Sequence, residues 1–111
     1  MAKLERTLTG DFDRVLSRLE DGVLSGSMSA SLEDSSDFTM GETRVAVRMF
    51  ERYSWSGNNR VAMSLTLAGC GSGRLHLTAI TAGGSQAVFF KINTWGEEAF
   101  LDTLAQVLDN L

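Results

Sequence analysis

Between residues 43 and 81 the chain alternates apolar with small or polar side chains in three successive segments, and this period of two constrains the fold more than any other feature. Residues 43–54 set Val45, Val47, Met49, Glu51 and Tyr53 on one side and Arg44, Ala46, Arg48, Phe50 and Arg52 on the other. Residues 60–68 oppose Val61, Met63, Leu65 and Leu67 to Ala62, Ser64, Thr66 and Ala68, and residues 74–81 bring Leu75, Leu77 and Ala79 to one face. Side chains of a strand point alternately to opposite faces, so each segment reads as a strand with one buried side. The joins, Trp55-Ser56-Gly57-Asn58-Asn59 and Gly69-Cys70-Gly71-Ser72-Gly73, are too short for a crossover and predict an antiparallel meander. The absence of proline from 111 residues suits turns that need φ > 0.

A fourth alternation over residues 27–32, with Met28, Ala30 and Leu32 on one face, predicts a strand that enters the meander through a polar turn at residues 33–37. Leu4, Arg6 and Leu8 alternate with Glu5 and Thr7 as a short first strand, and residues 87–92, carrying Phe89 and Phe90, read as a buried extended run. Two segments change period. Phe12, Val15, Leu16, Leu19, Val23 and Leu24 recur at steps of three and four, the stripe of an amphipathic helix ending near Ser25. Phe100, Leu101, Leu104, Val107, Leu108 and Leu111 form a second stripe, with Thr94 and Glu97 at capping-box spacing for its start.

Register follows from opposing apolar to apolar residues. Tyr53 then faces Val61, Met49 faces Leu65 and Val47 faces Leu67; Leu67 faces Leu75 and Leu65 faces Leu77. In the earlier hairpin Leu32 faces Val45, Ala30 faces Val47 and Glu33 faces Arg44 as an ion pair. These registers place Met28, Val45, Val47, Met49, Leu65, Leu67 and Leu77 beneath the helices. The prediction is a single α+β domain over residues 1–111, a mainly antiparallel meander sheet of four to six strands with an N-terminal and a C-terminal helix packed on one face. Ser29, Arg48, Thr66 and His76 then share a row of the open face, with Phe50, Arg52 and Ile80 in neighbouring rows.

That face suggests two uses. Arg48 is a bidentate donor for a small anionic ligand, with His76, Thr66 and Ser29 beside it, and the loop of Gly83, Gly84, Ser85 and Gln86 offers amide and side-chain donors of its own. Phe50, Arg52 and Ile80 are interface candidates for a homodimer, since small neighbouring side chains let two sheets approach. The catalytic alternative is an enzyme acting on an anionic small molecule with His76 as acid/base. No nucleophile–base pair is apparent, so a non-enzymatic binding or interaction module is the leading expectation. Cys70 is the sole cysteine and His76 the sole histidine, too few for an internal disulfide or an ordinary zinc site. Glu33, Asp34, Asp37 and Glu42 lack the spacing of an EF-hand loop, and the glycines at residues 69–73 lack that of a P-loop. No metal and no cofactor are expected. Ten basic against fourteen acidic residues, a net charge of −4, argue against nucleic acid and anionic membranes as partners. No apolar run approaches the roughly 20 residues of a membrane span, and charges run through the first twenty positions, so a cytoplasmic protein is expected.

Phe50-Glu51-Arg52-Tyr53-Ser54, Gly57-Asn58-Asn59-Arg60-Val61 and, above all, the stretch over residues 79–94 (AITAGGSQAVFFKINT) resemble a family of small uncharacterised bacterial proteins found largely in Gram-positive anaerobes. Residues 29–37 and 96–101 follow the same pattern, so the resemblance spans nearly the whole chain. It implies a compact single-domain protein of unknown function and carries over no catalytic residue.

Overall fold

The structure is a computed structural model that describes residues 1–53, 60–83 and 90–111, with the side chains of residues 90–96 outside that description. In chain order it forms β1 (Ala2–Thr9), α1 (Phe12–Ser25), β2 (Ser31–Met40), β3 (Thr43–Tyr53), β4 (Arg60–Gly69), β5 (Arg74–Gly83) and α2 (Phe90–Asp109). All strand pairs are antiparallel, in the order β1-β5-β4-β3-β2. The strands β2 to β5 are therefore the expected meander, β1 returns beside β5, and α1 carries the chain from one edge of the sheet to the other. Both helices cover the same face.

Helix α1 starts where the Asp11 side chain accepts from the Arg14 amide at 3.0 Å, which satisfies one of the free first-turn donors. Its buried stripe is Val15, Leu16, Leu19 and Val23, and Phe100, Leu101, Leu104 and Leu108 do the same for α2. Val61, Met63, Leu65 and Leu67 of β4 meet them fully buried, with Leu77 and Ala79 of β5 and Phe50 of β3. The two helices touch where Gly22 admits Val107. A Cβ at Gly22 would sit well inside the van der Waals radius of both Val107 methyls. Among the described residues no helix is long and apolar enough to cross a membrane.

Several expectations are corrected. Residues 27–30 are not a strand, and Met28 is wholly exposed; β2 instead runs through the acidic segment that composition marks as a turn. Its residues are almost all solvent-facing because β2 is an edge strand, where backbone pairing with β3 suffices and charge is tolerated on both sides. The β2–β3 turn is two residues long, with Gly41 at φ +60, a value suited to the first central position of a hairpin turn. Leu32 pairs with Phe50, Phe38 with Val45 and Thr39 with Arg44, with a bulge after Leu32. The Glu33–Arg44 pair does not form.

Between β3 and β4 the register is displaced by one residue from the expected one. Tyr53 pairs with Arg60, Phe50 with Met63 and Arg48 with Leu65 across an even-numbered connection at residues 54–59. A one-residue shift exchanges the faces. Ala46, Arg48 and Phe50 are buried under the helices, while Val45, Val47 and Met49 lie on the open side. Between β4 and β5 the displacement is two residues, Leu67 with Leu77 and Leu65 with Ala79, so the faces are kept. Helix α2 begins at Phe90, so Thr94 falls inside it and the capping box does not form. The Glu97 carboxylate instead accepts from the Gly83 amide at 2.9 Å and pairs with the Met1 amino group at 2.7 Å. The extended run at residues 87–92 is helical from Phe90, and residues 87–89 and the hairpin tip at residues 55–59 lie outside the described residues.

Candidate functional site

The uncovered face is assembled from alternate residues of all five strands. Its rows, read across β1, β5, β4, β3 and β2, are Lys3, Ile80, Ser64, Met49 and Asp34; then Glu5, Thr78, Thr66, Val47 and Ser36; then Thr7, His76, Ala68, Val45 and Phe38. The central strand contributes Arg60, paired with Glu51 of β3, and then the smaller Ala62, Ser64, Thr66 and Ala68, so the face is low along its middle beyond Arg60. Phe38, Met40, Met49, Tyr53 and Ile80 are exposed around it.

Arg48 is absent from this face, and so are Phe50 and Arg52. The alternation of β3 directs Arg44, Arg48 and Arg52 toward the helices, and each engages one. Arg44 lies 4.3 Å over the Phe12 ring and pairs with Asp13 at 2.7 Å. Arg48, only 8% exposed, binds Glu20 of α1 at 2.6 Å and Asp37 of β2 at 3.1 Å. Burial pushes its guanidinium down, but the hydrogen bonds to Glu20 and Asp37 outweigh that and hold it above its ordinary value. Arg52 stacks 4.5 Å over Phe100 of α2, and burial lowers its pKa. These guanidiniums fasten helices to the sheet.

The other candidate residues are dispersed. Thr66, His76 and Ile80 are on the open face, while Ser29 lies before β2 and its Oγ accepts from the Tyr53 amide at 3.2 Å. Gly83 is held by Glu97, and Gly84, Ser85 and Gln86 lie outside the described residues. Ile80 is thus the one residue of the interface trio that the open face retains.

The open face brings His76 to partners that sequence reasoning missed. Its Nε2 lies 3.2 Å from Glu5 Oε2 and 3.2 Å from Thr78 Oγ1, and the Thr78 hydroxyl donates to the same Glu5 oxygen at 3.3 Å. The hydrogen bond to His76, followed by the contact with Lys3 at 3.4 Å, holds the Glu5 carboxyl below the usual range. Glu5 is 71 residues from His76, and no local pattern names β5 as the neighbour of β1. A catalytic triad needs its carboxylate and hydroxyl on opposite ring nitrogens, so that one orients the imidazole while the other exchanges a proton. Here both crowd one nitrogen, Nε2, so the carboxylate and hydroxyl do not take the opposite nitrogens that a triad requires.

Toward the β4–β5 turn the face deepens into a trough of about 500 Å³. Ala68 and Gly69 floor it, Arg74, His76 and Thr7 line one side, and Thr43 lines the other. Arg74 forms no ion pair among the described residues, whereas Arg44, Arg48 and Arg60 each do. Its fork, the two hydroxyls and the imidazole could together take an oxyanion. Among the described residues no three His, Cys, Asp or Glu side chains converge as metal ligands.

Compared with known families, the chain matches the model of a family of unknown function over residues 1–111. No curated protein matches it.

Proposed function

The chain belongs to DUF6054, a family of unknown function, and from that premise we propose that it is a non-enzymatic interaction module whose open sheet face docks against a flat, partly apolar protein surface. The observation that carries this reading is where the exposed apolar side chains lie. Phe38, Met40, Met49, Tyr53 and Ile80 all stand on the one face that no helix covers. Apolar residues exposed in number on one face mark interaction surfaces, and the small residues of β4 permit close approach of a second layer. The setting we propose is cytoplasmic, in keeping with an exposed thiol at Cys70 that has no cysteine to pair with.

A photoreactive residue at Thr66, in the middle of the face, tests this against one at Asp102 on the outer side of α2. A protein adduct of discrete mass at Thr66, absent at Asp102 and lost when Met49→Lys is added, is expected. Equal labelling at both positions, or none at Thr66, would overturn the reading.

The trough favours a second, smaller role for the same face, the holding of an oxyanion such as phosphate by Arg74 and His76. Titration with inorganic phosphate should shift the Arg74 and His76 resonances at millimolar concentration, and Arg74→Ala should abolish the response. Identical shifts in the variant would end this reading.

A further inference from the structure

Resting on the docking reading above, we infer that the partner is a second copy of this chain, stacked sheet on sheet about a two-fold axis parallel to β4. The row Lys3, Ile80, Ser64, Met49, Asp34 carries the argument. It has a cation at one edge, an anion at the other, two apolar residues inside them and a small residue at its centre. Rotation about an axis along β4 lays each edge strand over the opposite edge of the other copy. Lys3 then lies over Asp34, Ile80 over Met49, and Ser64 over Ser64, and the same contacts recur with the copies exchanged, as an isologous interface requires.

The neighbouring rows obey the same operation without placing unpaired like charges together. Glu5 falls over Ser36 and Thr78 over Val47, while Thr66 and Ala68 meet their own counterparts on the axis; at the start of β4 Arg60 also comes to its counterpart there, each guanidinium paired with the Glu51 of its own copy. Stacked sheets lie about 10 Å apart, a gap that the long Lys3 side chain can span to an aspartate. At about 4.8 Å between strands and 3.4 Å per residue, the face offers roughly 600–800 Å² per copy, close to the ~800 Å² per partner of stable complexes. Edge-to-edge growth through β2 is disfavoured, because β2 presents Glu33, Asp34 and Asp37 along its length and carries a bulge.

Charge reversal across the pair tests this. Sedimentation at low ionic strength, from micromolar to millimolar protein, should show a dimer for the native sequence. Lys3→Asp alone and Asp34→Lys alone should each raise its dissociation constant by about tenfold or more, because each puts like charges together at both ends of the interface. The double variant Lys3→Asp/Asp34→Lys should restore most of that loss. A dimer weakened by Lys3→Asp but not restored by Asp34→Lys would overturn the axis, and so would a dimer indifferent to both yet broken by Met49→Lys. A native monomer throughout would overturn the second copy as partner, and the Thr66 adduct would then show separately whether the face docks another protein. Both reversals are at exposed positions, and circular dichroism verifies that each variant is folded.

Discussion

The two faces of the sheet are cut from the same five strands and differ in opposite ways on neighbouring strands. On β4 the division is conventional, with Val61, Met63, Leu65 and Leu67 under the helices and Ala62, Ser64, Thr66 and Ala68 outside. On β3 it is inverted, with arginines inside and Val45, Val47 and Met49 outside. A covered position thus accepts a guanidinium when a helix supplies its carboxylate or ring, and the valines and methionine that alternate with it are turned to the uncovered side.

The comparison is most directly broken at Phe50 and Met49, adjacent on β3 but on opposite faces. Phe50 is fully buried, so Phe50→Ala should cost about 3–5 kcal/mol in denaturant unfolding. Met49, 36% exposed, should lose less than about 1 kcal/mol as alanine while the chain is monomeric. A larger loss at Met49 than at Phe50 would mean that the faces are assigned the wrong way round. The helix layer is tested next at Gly22. Gly22→Ala drives a methyl into Val107 and should destabilise by about 1–2 kcal/mol, although alanine favours the isolated helix; a more stable variant would show that the helices do not meet there.

The smallest effect belongs to the open face. Folding lowers the Glu5 pKa, through its hydrogen bond to His76 and then through Lys3, so its contribution to stability is present above the unfolded value near 4.5. It is lost as pH falls through the lower folded value. Melting temperatures between pH 3 and 6 should therefore fall slightly less steeply in Glu5→Gln than in the native chain. Superimposable slopes would show that Glu5 is not engaged in solution.

Much of this architecture was legible in the sequence. The limits of β3 and of α1, the strands β4 and β5, and the placement of both helices on one face follow from periodicity, because long segments with one dominant apolar side leave little choice. The misreadings fall where that condition fails. In β2 the apolar residues are sparse and the backbone alone holds the strand, so Asp34, Ser35, Ser36 and Asp37 resemble a loop. In β3 both alternating sets contain large apolar residues, and the deciding partners, Glu20, Asp37 and Phe100, are distant in sequence. The candidate site inherited that ambiguity. His76, Thr66 and Ile80 stayed on the open face because β4 and β5 are unambiguous, while Arg48, Phe50 and Arg52 moved with the flip.

The arginines of β3 bear on which of its residues the open surface receives. Read alone, β3 favours burial of Val45, Val47 and Met49, yet Arg44, Arg48 and Arg52 face the helices, where Asp13, Glu20 and Phe100 meet them, with Asp37 of β2 as a further partner of Arg48. A strand whose own pattern opposes its final orientation is a conflict between levels, of the kind proteins retain where function requires it. Here Glu20, Asp37 and Phe100 supply what a covered guanidinium needs, so the face that Val45, Val47 and Met49 take is decided by residues outside β3.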